Sequence, residues 1–277
     1  MNRRTFNMTS LGALGALAMP TFALAGDAMN QRIVLVSLPS GKPTQDNFRI
    51  EQVEIPSVGE GQILLKTRYL SLDPYMRGRM SAAESYADPV ELGDVMVGGT
   101  VSEVVESRNS DFAVGDMVTA FSGWQSYEVS SGQGIRKLDP QITRPSYALG
   151  VLGMPGLTAY AGLMLIGEPK AGETVVLAAS TGAVGSVVGQ LAKAKGCRVV
   201  GIAGAKEKCE YAVNELGYDA CVSHYDDDMA EQLKAQCPDG IDVYFENVGG
   251  SSWEAVMPLL NTFARVPVCG LIAHYNQ

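Results

Sequence analysis

A glycine-bearing turn, two lysines downstream of it and a tyrosine near the C-terminus are the groups in this chain best suited to chemistry. The apolar run Val176 to Ala179 passes into Ser180-Thr181-Gly182-Ala183-Val184-Gly185, with Gly189 one helical turn on. Between a buried strand and an amphipathic helix, such a turn offers backbone N–H groups and the positive end of a helix dipole. Together these can hold a pyrophosphate. Gly182 is expected to permit the tight turn, Gly185 the approach of phosphate to backbone, and Gly189 close packing of helix on sheet; plain helix–strand packing would use such glycines too. The next strand ends in Ala203-Gly204-Ala205-Lys206-Glu207-Lys208. A carboxylate at that point would bond the ribose hydroxyls of NAD. Its absence, with two lysines following, favours a 2′-phosphate and hence NADP(H). At least one of those lysines has the alternative role of a solvated helix face.

Zinc is not expected. A catalytic zinc takes three protein ligands and a structural one takes four cysteines. The chain has two histidines, His224 and His274, and no cysteine before Cys197. Asp226-Asp227-Asp228 reads as an acidic helix start rather than a cation site. No Ser/His/Asp or Cys/His spacing supplies a nucleophile. The reactive group must then be the cofactor, with the protein contributing position and a donor for negative charge on the substrate. Tyr275, after Cys269-Gly270-Leu271-Ile272-Ala273-His274, follows the fifth expected strand at its carboxyl end, where such a donor would face the cofactor.

The elements that must position these groups follow two periods. From Arg32 to about Ser130 the pattern is β-rich, with strands expected over Ile33–Ser37, Phe48–Ile55, Gln62–Leu70 and Val95–Glu106 and after the turn at Asp111–Gly115. Short strands punctuated by Gly and Pro argue for a small β-barrel. After Pro145 the period changes. A helix is expected over Gly156–Ile166, then strand Thr174–Ala179, helix Ala183–Lys195, strand Arg198–Ala203 and helix Lys206–Leu216. The alternation continues through Asp219–Val222, Met229–Gln236, Asp242–Glu246, Trp253–Leu260 and Ala264–Gly270. That pattern gives a parallel sheet covered on both faces. The expected division is residues 1–28, 29–148 and 149–277.

The 277 residues carry 21 basic and 30 acidic side chains, a formal charge of −9, and no basic cluster, so a nucleic-acid partner is not expected. Arg3-Arg4-Thr5-Phe6, the uncharged stretch Met8 to Leu24 and Ala23-Leu24-Ala25 read as a twin-arginine export signal. That implies a periplasmic protein; a start at Met29 would make it cytoplasmic. The apolar stretch is short and broken by Gly and Pro, so a stable membrane span is not expected. Cys197, Cys209, Cys221, Cys237 and Cys269 form no C-x-x-C pair and read as buried, reduced thiols.

Taken with Tyr69-Leu70-Ser71-Leu72-Asp73-Pro74-Tyr75-Met76-Arg77-Gly78-Arg79-Met80, Gly153-Met154-Pro155-Gly156-Leu157-Thr158-Ala159-Tyr160, Tyr244-Phe245-Glu246-Asn247-Val248-Gly249-Gly250 and Cys269 to Asn276, the chain resembles a known group. It is similar to the zinc-free medium-chain dehydrogenase/reductases, above all bacterial NADPH-dependent curcumin reductases, and more distantly prostaglandin (leukotriene B4) reductases and plant double-bond reductases. The resemblance implies an α/β chain with a GroES-like β-barrel followed by a Rossmann domain, usually dimeric. It also implies hydride delivery from NADPH to the β-carbon of an enone or enal; quinone reduction is the related alternative. Carried over residue by residue, it places the diphosphate on Gly182, Ala183, Val184 and Gly185 and the 2′-phosphate on Lys208. Tyr225 falls near the adenosine. Asn247 and Cys269, Gly270, Leu271, Ile272, Ala273 and His274 fall along the cofactor, with Tyr275 beside the nicotinamide ribose and substrate carbonyl. Tyr75 resembles a substrate-pocket tyrosine, with barrel core as its other role. The family begins near Met29 and continues beyond Gln277, so a C-terminally truncated Rossmann domain with weak or no turnover is the accompanying expectation.

Overall fold

A computed structural model describes residues 29–83 and 87–277. The twin-arginine segment lies outside the described residues.

The first strands are β1 (Met29–Leu35) and β2 (Phe48–Glu54), antiparallel in unbroken register from Met29–Glu54 to Leu35–Phe48. β1 begins four residues before the apolar run that predicts it. Buried Asn30 explains this: its amide oxygen accepts the Tyr127 N–H at 2.9 Å and its amide nitrogen meets Gln125 at 3.3 Å. Polar pairing rather than apolar burial starts the strand. Five more strands, β3 (Ile63–Leu70), β4 (Thr100–Ser107), β5 (Met117–Ala120), β6 (Tyr127–Ser130) and β7 (Arg136–Lys137), form an antiparallel sheet in the order β6-β3-β4-β5-β7. Bridges at Arg32–Gln125 and Val34–Val95 close β1 onto it. Ile63, Leu65, Val104 and Val118 fill one core; Leu35, Met76, Met80, Val90 and Met96 fill another. The second core anchors the short helix α1 (Tyr75–Gly78) through Met76 and so fixes Tyr75.

The second half contains helix α2 (Met154–Tyr160) and then a parallel sheet. Its strands β8 (Thr174–Ala178), β9 (Arg198–Ala203), β10 (Ala220–Ser223), β11 (Ile241–Phe245) and β12 (Leu260–Arg265) lie in the order β10-β9-β8-β11-β12. Helices α3 (Gly185–Ala194), α4 (Lys206–Asn214), α5 (Met229–Gln236) and α6 (Gly250–Val256) connect them. All five residues of β8 are buried, because Val175 and Leu177 pack against α3 on one face and Val176 and Ala178 join the α5 side on the other. Each such Val or Leu stabilises the sheet by roughly 1.5–3 kcal/mol over its exposed state. This is the expected GroES-like plus Rossmann architecture.

Two elements differ from expectation. The helix expected over Gly156–Ile166 is α-helical only to Tyr160 and then widens into a π-helix over Ala161–Gly167. Gly162 rests on the Phe245 ring there, where a Cβ would come within 2.7 Å of it, so the wider turn fits the helix over a core aromatic. The expected helix Trp253–Leu260 runs instead over Gly250–Val256, and Pro258 ends it. The last strand accordingly begins at Leu260 rather than Ala264. It pairs Ile241 with Leu260 but Val243 with Arg265, so three extra residues bulge out. Phe263, at φ 66° and 92% exposed, is in that bulge. Past it the Glu246–Val268 bridge continues the second register, which covers part of the expected Ala264–Gly270 strand.

Candidate cofactor and substrate site

The strand order reverses between β8 and β11, and a parallel sheet opens a crevice at the carboxyl ends of strands where this happens. The glycine turn leaves β8 at that point. Gly182 and Ala183 are exposed, and the N–H groups of Ala183 and Val184 have no hydrogen-bond acceptor among the described residues. Such donors ahead of a ten-residue helix suit a diphosphate.

The glycines of the turn act differently from the expectation. The left-handed residue is Ala179, at φ 49°, and Gly182 needs no positive φ; its N–H closes the turn onto Ala179 O at 2.9 Å. Gly185 is required by the protein's own backbone, since a Cβ would stand 2.3 Å from Ala179 O. At Gly189 a Cβ would strike the Tyr218 ring at 2.1–2.3 Å rather than a strand. Sequence reasoning missed Tyr218. Its hydroxyl sits near the carbonyls of Ser180 (3.0 Å) and Gly185 (2.8 Å), pinning both ends of the turn from below. Burial pushes this phenol well above its ordinary pKa, so it remains a donor.

At the end of β9 the two lysines part company. Lys206 faces Glu210 at 3.8 Å, one helical turn on, whereas exposed Lys208 has no ion-pair partner among the described residues. The solvated-face role therefore falls to Lys206. Tyr225 is 72% exposed and edge-on to His224, with ring centroids 4.4 Å apart. Its ring hangs over Gly204, where a Cβ would lie 3.3 Å from Cε2. Ser223 sets this up by donating to Gly204 O at 2.6 Å and accepting the Tyr225 N–H at 3.2 Å. An exposed flat aromatic at this sheet edge suits the face of an adenosine.

Across the crevice, Asn247 donates to Ala178 O at 2.8 Å, tying the loop after β11 to the end of β8. Sequence reasoning also missed Glu246, which is fully buried directly after a core strand. Its carboxylate accepts the N–H groups of Val248 and Gly249 and the Tyr244 hydroxyl, so the loop is wrapped around one carboxylate. A carboxylate followed by Asn-Val-Gly-Gly at the end of a buried run was the available signal. The Cys269–His274 segment lies against this loop. Cys269 N–H donates to Glu246 O (2.9 Å), Ile272 N–H to Asn247 O (3.4 Å) and Ala273 N–H to Val248 O (2.9 Å). Gly249, at φ 79°, lets the His274 ring in close, where a Cβ would stand 2.8 Å from Nε2. The Tyr275 hydroxyl folds back towards Gly270, 3.1 Å from where a Cβ would be, and the residue is 37% exposed.

Tyr75 takes the barrel-core position that was one of the two roles considered for it. It packs against the barrel core, and its ring stacks on Phe121 at 6.3 Å. It also lines a cavity of about 290 Å³ with Ser71, Asp73 and the start of α2. The two halves meet through Arg77, two residues beyond Tyr75, whose guanidinium donates to Asn276 Oδ1 at 3.1 Å and to Gly41 O at 3.0 Å. The structure thus gathers Asn247 with Cys269–Tyr275, while Tyr225 shares a cavity wall with Lys206, and Lys208 does not line that cavity. Among the described residues no group of three or more His, Cys, Asp or Glu side chains is arranged to hold a metal.

Residues 31–138 match the family described as the N-terminal domain of oxidoreductase, and residues 183–277 the zinc-binding dehydrogenase family. The NADPH-dependent curcumin reductase of Escherichia coli (strain K12) is 60% identical over 247 residues, 89% of this chain and 72% of that protein. The 2-alkenal reductase (NADP(+)-dependent) of Nicotiana tabacum is 40% identical over 259 residues, covering 91% and 76% respectively. The crystal structure of CurA from Vibrio vulnificus in complex with NADPH superposes with a TM-score of 0.86 at 58% identity, over 89% of this chain and 73% of that one.

Proposed function

Since the chain belongs to the medium-chain dehydrogenase/reductase family, alongside curcumin, prostaglandin and 2-alkenal reductases, we propose that it reduces the carbon–carbon double bond of α,β-unsaturated ketones and aldehydes with NADPH. The observation carrying this reading is Lys208, in the first turn of α4, with no ion-pair partner among the described residues and no carboxylate at the β9 end (Ala203-Gly204-Ala205), in a chain 60% identical to an NADPH-dependent reductase. When bound, NADPH supplies the hydride for the β-carbon of the substrate. The chain's own residues do the rest. Ala183 and Val184 offer backbone N–H groups to the diphosphate in the turn that Gly182 and Gly185 shape, Lys208 pairs with the 2′-phosphate and Tyr225 packs on the adenosine. Asn247 and Cys269–His274 border the nicotinamide side. As negative charge builds on the substrate carbonyl oxygen, Tyr275 donates its hydroxyl proton in a hydrogen bond, which helps most where that charge is largest. Tyr75 bounds the substrate.

This chemistry needs no metal, and we read the protein as zinc-independent. A homodimer belongs to the same reading. Leu157, Leu165 and Ile166, each more than 60% exposed on α2 and the π-helix, offer apolar surface for a second copy to cover. The functional test compares rates with an enone and a quinone at matched NADPH. Faster turnover of the enone is expected; turnover of the quinone alone would replace this reading with quinone reduction.

A further inference from the structure

Beside the sheet edge, between α4 and β10, lies an open cavity of about 570 Å³ whose wall includes both Cys209 and Cys221. Cys209 is in the first turns of α4, and Cys221 is on β10 beneath that helix. Both thiols are free and partly exposed, whereas Cys197 and Cys237 are buried elsewhere. The Cys221 sulfur is held from behind, 3.7 Å from Ser180 Oγ and 3.2 Å from where a Cβ on Gly201 would stand. It shares the cavity wall with Cys209. Burial raises the Cys221 thiol, and the adjacent Cys209 sulfur raises it further, so the two share one local environment. Nothing in the proposed reductase chemistry uses either sulfur.

We propose that Cys209 and Cys221 form a modification site, a thiol pair that closes to a disulfide when a hydroperoxide enters the cavity. The Cys209 sulfur, as thiolate, attacks one peroxide oxygen. The O–O bond breaks, the far oxygen leaves and takes a proton as water or an alcohol, and Cys209 becomes a sulfenic acid. The Cys221 thiol then attacks that sulfur; the S–S bond forms and hydroxide leaves with the Cys221 proton as water. The thiol pair gives up two electrons and the hydroperoxide takes them. Cys209 attacks first because it is the less encumbered thiol and lies on the helix, while Cys221 is fixed in the sheet. The same cavity wall includes Lys206 and Tyr225, so the thiol pair borders the adenosine end of the proposed cofactor site.

The reduced protein is treated with hydrogen peroxide, remaining thiols are alkylated, and the product is digested with a glutamyl protease that cuts between the two cysteines at Glu210 and Glu215. A Cys209–Cys221 linked peptide pair, reversed by dithiothreitol, is the expected product. In Cys221→Ser, Cys209 should instead accumulate as a sulfenic acid captured by dimedone. Two results overturn the proposal. One is alkylation of both residues after exposed Cys269 has already been oxidised. The other is dimedone capture of Cys209 in the wild type as complete as in Cys221→Ser, with no linked pair. The wild-type map decides the matter even where a variant folds poorly.

Discussion

Lys208 carries an ammonium without a carboxylate beside it among the described residues, while Lys206, two positions earlier, faces Glu210. A charge left open in the first turn of α4 is available to a phosphate, and one charge-assisted contact there changes affinity by about ten- to a hundredfold. Lys208→Ala should weaken NADPH binding by that factor and leave NADH binding nearly unchanged, as read by titrating both cofactors; equal losses for the two would remove Lys208 from the 2′-phosphate. Tyr275 is tested by rate. Tyr275→Phe keeps the ring and deletes only the hydroxyl, so turnover should fall by about 10²–10³ with NADPH affinity little altered. Undiminished kcat would falsify the donor role. At this scale the sequence shows a residue when its type alone signals chemistry, as in the glycine turn or Lys208. Tyr218 was hidden because it donates to backbone carbonyls 33 and 38 residues away, which no local pattern encodes; Glu246 binds within three residues of itself and was missed although the run after its strand signals it.

The elements are held to one another by a few polar clamps as well as by the core. Arg265, on β12, donates to the carbonyls of Gly167, Glu168 and Asp242 and to the Glu173 carboxylate just before β8. Burial alone would raise Glu173, but the bonds from Arg265 and from Lys170 N–H outweigh it and hold the carboxyl below its ordinary range. A carboxyl depressed in the folded state is protonated more readily in the unfolded chain. Its stabilisation is therefore present above about pH 4.3, the unfolded value, and is lost as pH falls through the lower folded value. Arg265→Met should cost about 1–3 kcal/mol at neutral pH, because it strands several acceptors. It should also flatten the acid limb of a plot of melting midpoint against pH between 6 and 3. A variant as acid-sensitive as the wild type would place the depression elsewhere. Strands β2, β3, β8 and β9 were legible to within a residue at their start, since alternation or continuous burial marks them. The π-helix and the start of β12 were not. The first depends on Phe245, far away in sequence, and the second on Pro258 ending a helix early and leaving a three-residue bulge.

At the scale of the whole molecule, the change from short alternating strands to strand–helix alternation announces two units, and both are found. Their mutual placement is another matter. Arg77 on α1 bonds Asn276 across 199 residues, and through that contact the Tyr75 side of the barrel meets the Tyr275 end of the parallel sheet. Periodicity contains nothing about such a contact; it is visible only after both units are folded. Its consequence is that the Tyr75 side of the barrel is held against the segment that carries Tyr275. The most direct measurement is the fate of deuterium when the protein turns over an enone with NADPH deuterated at nicotinamide C4. The account predicts a saturated ketone with its carbonyl intact and the label on the former β-carbon, whereas label on the carbonyl carbon of an allylic alcohol would contradict it.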